Sequence, residues 1–396
     1  MSLPIFYLKK NEARRILSGH PWVYSNEIDS KKTPLKDIKS GEEVFIAAHN
    51  SSILGRAYAN PHSLIIARIF SKDPEICLDL NFFLTRLQHA LALRTRLFKS
   101  PYYRLIFSEA DYLPGLIIDR YDQDFVVQLN TAGMEQQQTL LARALTQLFP
   151  TLSSVLLRND SSIRKQEGLD TYVRPLLGTP PAIITLEENG IQFQAPLLEG
   201  QKTGWFYDHR LNRARLAAYV ENRSVLDVFS YLGGFGIEAA CFGASHVTCI
   251  DASTLACQCI QKNAELNHVS EKTTIINDDA FDALKKLLHQ DKKFDVIILD
   301  PPAFVKKNKD LKEGLIAYQR LNEFALKLLS NDGILISCSC SMQVSEEEFQ
   351  RMLNRAAYNT KSQVQILERG HQGPDHPLHI VIPETNYLKA IFLRKV

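Results

Sequence analysis

The spacing of apolar and polar positions changes character twice along the chain, and each change marks a different kind of folding unit. Up to about residue 75, the short runs EEVFIAAH and SLIIARIF are separated by Gly, Asn, Pro and Ser turns and follow a basic, helix-like opening, KKNEARRILSG. Such runs predict a small β-rich module. Over residues 76–190, LDLNFFLTRLQHALALRTRLF repeats its apolar residues at three and four, and GLIIDRYDQDFVVQLN reads as two strands around a polar turn. MEQQQTLLARALTQLF then sets Leu141, Leu145 and Leu148 on one helical face ahead of Pro150, and SVLLRND begins another strand. This predicts a second, small α+β domain that holds no chemical constellation of its own and serves as a spacer or substrate platform. Over residues 191–396, the strand-like runs VLDVF (225–229), VTCID, TTIIND, FDVIILD and GILISCSC are mostly separated by amphipathic helical segments. The expected fold class there is α/β, a doubly wound parallel sheet, whose ligands bind beyond the carboxyl ends of the strands.

Composition alters this picture little. The 396 residues are too many for one ordinary core, and 46 Lys+Arg against 44 Asp+Glu leave a net charge of +2, so a nucleic-acid surface would have to be local. The first 75 residues carry eleven Lys/Arg against eight Asp/Glu, with Lys9, Lys10, Arg14 and Arg15 bunched and Trp22 and Tyr24 just beyond. Such a cluster can grip phosphate and stack on bases, or it can be a solvated helix face followed by core aromatics. No window resembles a signal peptide or a membrane span, so a cytoplasmic location is expected. Seven cysteines, mostly inside apolar runs and without a CxxC pair, suit reduced thiols and argue against a structural metal.

The candidate chemistry lies at the strand ends. After VLDVF comes SYLGGFG, where Gly233, Gly234 and Gly236 allow a sharp turn and a close backbone approach to a ligand, here beside Phe229 and Ser230. The pattern is neither GxGxxG nor GxxxxGK[ST], which removes the usual support for nicotinamide or a P-loop. Asp251 closes the next strand, eighteen residues after Gly233, where a carboxylate can accept both hydroxyls of a ribose. Asp278 and Asp279 close the third, within reach of an adenine amino group. An adenosine pocket without a phosphate clamp is what S-adenosylmethionine requires. On the fourth strand end, Asp300, Pro301 and Pro302 form a rigid loop, since proline fixes φ and removes a donor. A DPP loop in this position signals methyl transfer to nucleobases or related amides.

GILISCSCS adds a nucleophile. Cytosine C5 becomes reactive only after a thiolate adds to C6, so a cysteine at the pocket mouth and an acid near N3 are needed. Cys340 at the strand end and Asp300 opposite are the candidates, and Cys338, deeper in the strand, reads as core. Two other enzymatic readings stay open: an amino-group methyltransferase acting on adenine or guanine, and a 5-methyluracil enzyme. A third is an RNA-binding accessory protein that has lost activity.

The order of these elements resembles the class I S-adenosylmethionine-dependent methyltransferases, in which QKTGWFYDHR (201–210), with Lys202 and Tyr207, is similar to the segment flanking the cofactor. More closely, HPWVYSNEI, DYLPGLIIDRY, KTGWFYDHR, FSYLGGFG, DPPAFVKKN, SCSCS and DHP…YLKAIFLR resemble the bacterial ribosomal RNA large-subunit methyltransferase I family over nearly the whole chain. The resemblance implies an N-terminal PUA domain (1–75), a central α+β domain (76–190) and a methyltransferase domain (191–396). It also implies 23S ribosomal RNA as partner, Cys340 as nucleophile and Asp300 as the group that orients the base and assists N3 protonation. A homodimer is compatible with it; a membrane or metal partner is not expected. The Pro-rich loop has no second cysteine, so the base that removes the C5 proton is not identified, and Phe304 has two readings, against the target base or as anchor of the loop.

Overall fold

The computed structural model describes residues 3–33, 35–200 and 203–396, which leaves Lys202 outside the described residues. The chain forms two compact units. One comprises the residues up to Ile184 together with Pro196–Trp205 and Pro374–Thr385; the other comprises Thr185–Ala195, Phe206–Gly373 and Asn386–Val396. Among the described residues, no helix is long and apolar enough to cross a membrane.

The first unit opens with β1 (Ile5–Tyr7), α1 (Ala13–Leu17), β2 (Trp22–Tyr24), β3 (Glu43–Ala47), β4 (Ile53–Ala59) and β5 (Ile65–Ser71). These strands form one sheet in the order β1-β3-β4-β5-β2. Phe6, Val23, Val44, Ile46, Ala57, Ala59, Ile66 and Ile16 of α1 close its core. The basic opening is partly consumed by this packing. The Arg15 guanidinium donates to both Glu27 oxygens, at 2.6 and 2.7 Å, and to the Trp22 carbonyl, and it lies over the Tyr24 ring. The Trp22 indole donates to Glu109 at 2.9 Å. Arg15, Trp22 and Tyr24 are thus structural, while Lys10 and Arg14 stay exposed.

The same unit continues through α2 (Leu80–Leu97), β6 (Tyr102–Phe107), β7 (Leu116–Tyr121), β8 (Asp124–Leu129), α3 (Ala132–Glu135), α4 (Gln138–Leu148), β9 (Ser154–Asn159), α5 (Ile163–Gln166) and β10 (Tyr172–Leu177). Its sheet runs β10-β9-β8-β7-β6, with only β8 and β9 parallel. The helix expected over MEQQQTLLARALTQLF is two helices, α3 being capped separately by the Thr131 hydroxyl. Leu141 and Leu145 of α4 are buried as the periodicity predicts.

After the hairpin β11 (Ile183–Glu188) and β12 (Ile191–Pro196), the second unit alternates: α6 (Arg210–Ala214), β13 (Ser224–Val228), α7 (Gly234–Cys241), β14 (His246–Asp251), α8 (Thr254–Leu266), β15 (Thr273–Asn277), α9 (Ala280–His289), β16 (Phe294–Leu299), α10 (Leu311–Leu328), β17 (Leu329–Ser339), α11 (Glu346–Asn359), β18 (Val364–Gly370) and β19 (Lys389–Lys395). The sheet order is β15-β14-β13-β16-β17-β19-β18. Strands β13 to β17 are parallel, and β16 and β13 are nearly continuous apolar runs because helices cover both faces. The sheet is mixed rather than wholly parallel, for β19 pairs antiparallel with both β17 and β18. Chain order reverses about β13, which places the ligand crevice at the carboxyl ends of β13, β14 and β16.

Candidate active site

The turn after β13 is held in a costly backbone. Phe229 (φ 66°), Tyr231 (φ 50°) and Gly233 (φ 81°) all lie in the left-handed region, which costs a non-glycine residue roughly 1–2 kcal/mol. Side-chain bonds hold it there. The Ser230 hydroxyl donates to the Asp227 carbonyl at 2.7 Å and accepts from the Ile250 amide at 3.1 Å. Gly234 begins α7, and a Cβ at Gly236 would stand 2.5 Å from Cys249 Sγ and 3.1 Å from Asp227 Oδ2. Asp227, which sequence reasoning missed, accepts from the Gly236 amide at 2.9 Å through Oδ2, while its Oδ1 has no hydrogen-bond partner among the described residues. Complete burial pushes its carboxyl up to about 7. Its signal in the sequence was a carboxylate inside the apolar run VLDVF.

Asp251, half-buried at the end of β14, accepts from the Tyr231 amide at 2.9 Å and the Ser253 amide at 2.8 Å. These bonds aim the carboxylate into the crevice and leave each oxygen a second lone pair. The Asp278 amide donates to the Asp251 carbonyl, so these two expected residues share one rim with Phe229, Ser230, Gly233 and Gly234. The Asp278 carboxylate is bound to Lys286 at 2.5 Å, which holds its pKa below the usual range. Asp279 has another task. Its Oδ1 accepts from the Phe281 and Asp282 amides as the N-cap of α9. Tyr207 is 1% exposed, with Arg210 over its ring.

At the end of β16 the Asp300 amide donates to the Val228 carbonyl, and its carboxylate, about a quarter exposed, meets the buried His209. His209 Nε2 lies 3.2 Å from Asp300 Oδ1, while Nδ1 lies 3.2 Å from the Asn212 amide nitrogen. Burial disfavours the charged ring, but the Asp300 carboxylate more than offsets this and raises its pKa. The sequence reading of QKTGWFYDHR singled out Lys202 and Tyr207 and passed over His209.

Cys340 stands just past β17 on the same rim, its Sγ 4.0 Å from the Pro301 carbonyl of the DPP loop. Its neighbours turn inward: the Tyr318 hydroxyl meets Ser339 Oγ at 3.0 Å and Ser341 Oγ at 2.9 Å, and the Val305 amide donates to Ser341 Oγ at 3.2 Å. One hydroxyl network therefore locks the Ser-Cys-Ser turn to the DPPAF loop, leaving the half-buried Cys340 as the member facing outward. Phe304 packs on Tyr318 at 4.7 Å between ring centroids and also near Phe229 and Phe281, so it anchors the loop. Cys338 is wholly buried, and burial, reinforced by Asp300, drives its thiol well upward. His209, Asp300 and Cys338 bring three potential ligand atoms within 4.8 Å of one another, but a protonated, buried thiol is a poor metal ligand. Among the described residues no disulfide joins the seven cysteines.

A family model described as "Conserved hypothetical protein 95" matches residues 214–360, and a PUA-like domain model matches residues 6–72. The ribosomal RNA large subunit methyltransferase I of Aliivibrio fischeri is 38% identical over 397 residues, covering 98% of this chain and 99% of that relative. Two solved structures share the fold at 21% identity, each over 99% of this chain and all of theirs. One, from Streptococcus mutans and assigned to the SAM-dependent methyltransferases, has a TM-score of 0.83; the other, a methyltransferase complexed with S-adenosylhomocysteine, has a TM-score of 0.84. The second unit therefore has the class I methyltransferase fold, and the PUA-like assignment of the N-terminal sheet agrees with the expectation from sequence. With near-complete mutual coverage at this identity, the chain belongs to the ribosomal RNA large subunit methyltransferase I family.

Proposed function

We propose that the protein is an S-adenosylmethionine-dependent methyltransferase that forms 5-methylcytosine in 23S ribosomal RNA through a covalent bond between Cys340 and cytosine C6. The observation that carries this reading is the approach of Cys340 to the Pro301 carbonyl, which puts a thiol and the Asp300 carboxylate on one rim. The crevice fits the cofactor: the left-handed turn at Phe229, Tyr231 and Gly233 brings backbone to the strand ends, and Asp251 offers a ribose acceptor. Phe229, Ser230, Gly233, Gly234, Asp251 and Asp278 would hold it, with Asp279 and Tyr207 supporting from behind. Bound S-adenosylmethionine supplies an electrophilic methyl group on a sulfonium centre.

The chain's own residues do the rest. The Cys340 thiolate adds to C6 while Asp300 orients the base and assists protonation at N3, and C5 thereby gains the electron density that accepts a methyl group. His209, donating from Nε2, fixes the Asp300 carboxylate in position. A base must then take the C5 proton before the thiolate leaves. Extrusion of the target from its stack exposes both C5 and C6.

The test is RNA carrying 5-fluorocytosine, whose C5 fluorine blocks the elimination. We expect cofactor-dependent attachment of this RNA to the peptide bearing Cys340, loss of methyl transfer by about 10³-fold or more in Cys340→Ala, and near-normal activity in Cys338→Ala. An active enzyme that never traps 5-fluorocytosine RNA, or an active Cys340→Ala, would overturn the covalent step. Mass spectrometry of ribosomal RNA from a strain lacking the protein should show one 5-methylcytosine missing from the large subunit.

A further inference from the structure

Lys389 is a buried lysine in the middle of polar and apolar neighbours that give it no counter-ion. It begins β19, opposite Ser339 of β17 in register, and is 5% exposed. Its ammonium donates to three carbonyls, Ser341 at 2.7 Å, Val344 at 2.9 Å and Tyr387 at 2.9 Å. Among the described residues no carboxylate lies within ion-pair distance of it. The nearby acids are engaged elsewhere, Glu346 with Arg369 and Glu348 with the Ser345 cap. Three carbonyl acceptors use all three N–H groups, so the positive charge is solvated by dipoles and not cancelled by an anion.

A charge kept in a buried place without an ion pair acts on its surroundings, and the residue it acts on is the nucleophile. Cys340 precedes Ser341, whose carbonyl Lys389 grips, so ammonium and thiol share one turn, and a thiolate there favours the protonated lysine, as Glu346 and Glu348 do. Burial works against that charge and, even with these neighbours, brings the Lys389 pKa down to about 8, which leaves the ammonium the main form at neutral pH. Coupling is mutual, so the ammonium favours a thiolate as much as a thiolate favours the ammonium. Acids near this strand oppose an anion there, since Asp300, Asp227 and Asp208 all raise the thiol of the neighbouring Cys338, while the Tyr318 phenol on α10 is kept neutral by burial.

We infer that Lys389 is a positioning residue for Cys340: its ammonium fastens the Ser339–Ser341 turn on which the thiol stands and supplies the positive charge that favours the thiolate. As a catalytic role this rests on the covalent reading above, but the coupling itself can be measured without RNA. The rate of iodoacetamide alkylation, followed by peptide mass spectrometry to separate Cys340 from the exposed Cys77 and Cys241, reports the thiolate fraction against pH.

In Lys389→Met the Cys340 midpoint should rise by about one pH unit or more, the scale of losing an opposite charge at close range. Methyl transfer should fall at neutral pH and recover in part at higher pH, with KM for the cofactor unchanged. Lys389→Gln keeps amide donors for the carbonyls but no charge. It should show the same upward shift with a smaller loss of thermal stability, and it serves if the methionine variant does not fold. An unchanged midpoint in a folded variant overturns the inference, because a purely structural lysine would lower Tm and leave the titration alone. If Cys340→Ser kept full methyl transfer while the midpoint still moved in Lys389→Gln, the covalent reading would fall and the lysine–thiol coupling would stand.

Discussion

Asp227→Asn is expected to invert its effect on stability between mildly acidic and alkaline pH. The wild-type carboxyl is completely enclosed beneath the glycine turn. Burial raises it most, the Gly236 amide works the other way, and the Asp300 charge adds to the rise, from 3.8 to about 7. That interval, at about 1.36 kcal/mol for each pH unit, corresponds to about 4 kcal/mol. The direction follows from proton counting. Between the two values the folded protein holds a proton that the unfolded chain has released, so stability falls as pH rises through this window. The contribution is fully present below about pH 4 and lost above about pH 7. The asparagine amide cannot titrate, and its oxygen can still accept from Gly236, but its NH2 would face the place where Oδ1 has no partner, at a cost of about 1–3 kcal/mol. The variant should therefore be the less stable protein at pH 4, match the wild type near pH 5, and be the more stable one, by about 2 kcal/mol, at pH 8.5. Both tryptophans, Trp22 and Trp205, belong to the first unit, so urea unfolding must be followed by far-ultraviolet circular dichroism and not by indole fluorescence. Wild-type and variant curves that run parallel from pH 4 to 8.5 would refute the protonated, buried acid.

Gly236→Ala should lower stability by roughly 1–2 kcal/mol, since overpacking against Cys249 Sγ outweighs the better helix propensity of alanine, and Cys249→Ala in the same chain should restore part of the loss; additive effects in urea unfolding would deny the clash. Ser341→Ala removes the acceptor of the Val305 amide and the partner of Tyr318, and should cut kcat at least about tenfold while S-adenosylhomocysteine affinity by calorimetry stays put. In the first unit, the buried Glu167 accepts from Arg68 at 2.9 Å, Ser63 at 3.0 Å and Asn60 at 2.9 Å, so Glu167→Ala should cost about 3–5 kcal/mol in thermal or urea unfolding without altering cofactor affinity.

The parallel strands were legible because each is a buried apolar run ending in a polar residue, and the carboxyl ends of such a sheet are where ligands gather. Gly233, Asp251, Asp300 and Cys340 could be named for that reason. The short strands β1 and β2, three residues each, carry too little alternation to be seen. Asp279 stands one residue ahead of the amphipathic AFDALKKLLH, a helix-cap signal, and through Oδ1 it is the N-cap of α9. His209, Asp227 and Lys389 were missed for a common reason. Each is a polar group set among apolar or aromatic residues, and its meaning depends on a partner elsewhere in the chain: Asp300, Gly236 and the Ser341 carbonyl respectively.

The sheet order β17-β19-β18 has a consequence for the birth of the protein. β18 is synthesised before β19, the strand that joins it to the sheet, so for the time it takes to make residues 371–395 the nascent chain exposes an open edge on β17 and leaves β18 unpaired. Exposed edges of this kind recruit other chains. Slow translation through that stretch should therefore lower the yield of soluble protein, and faster translation or added chaperone should recover it. Because β19 also carries Lys389, the step that closes the sheet is the step that completes the surroundings of Cys340.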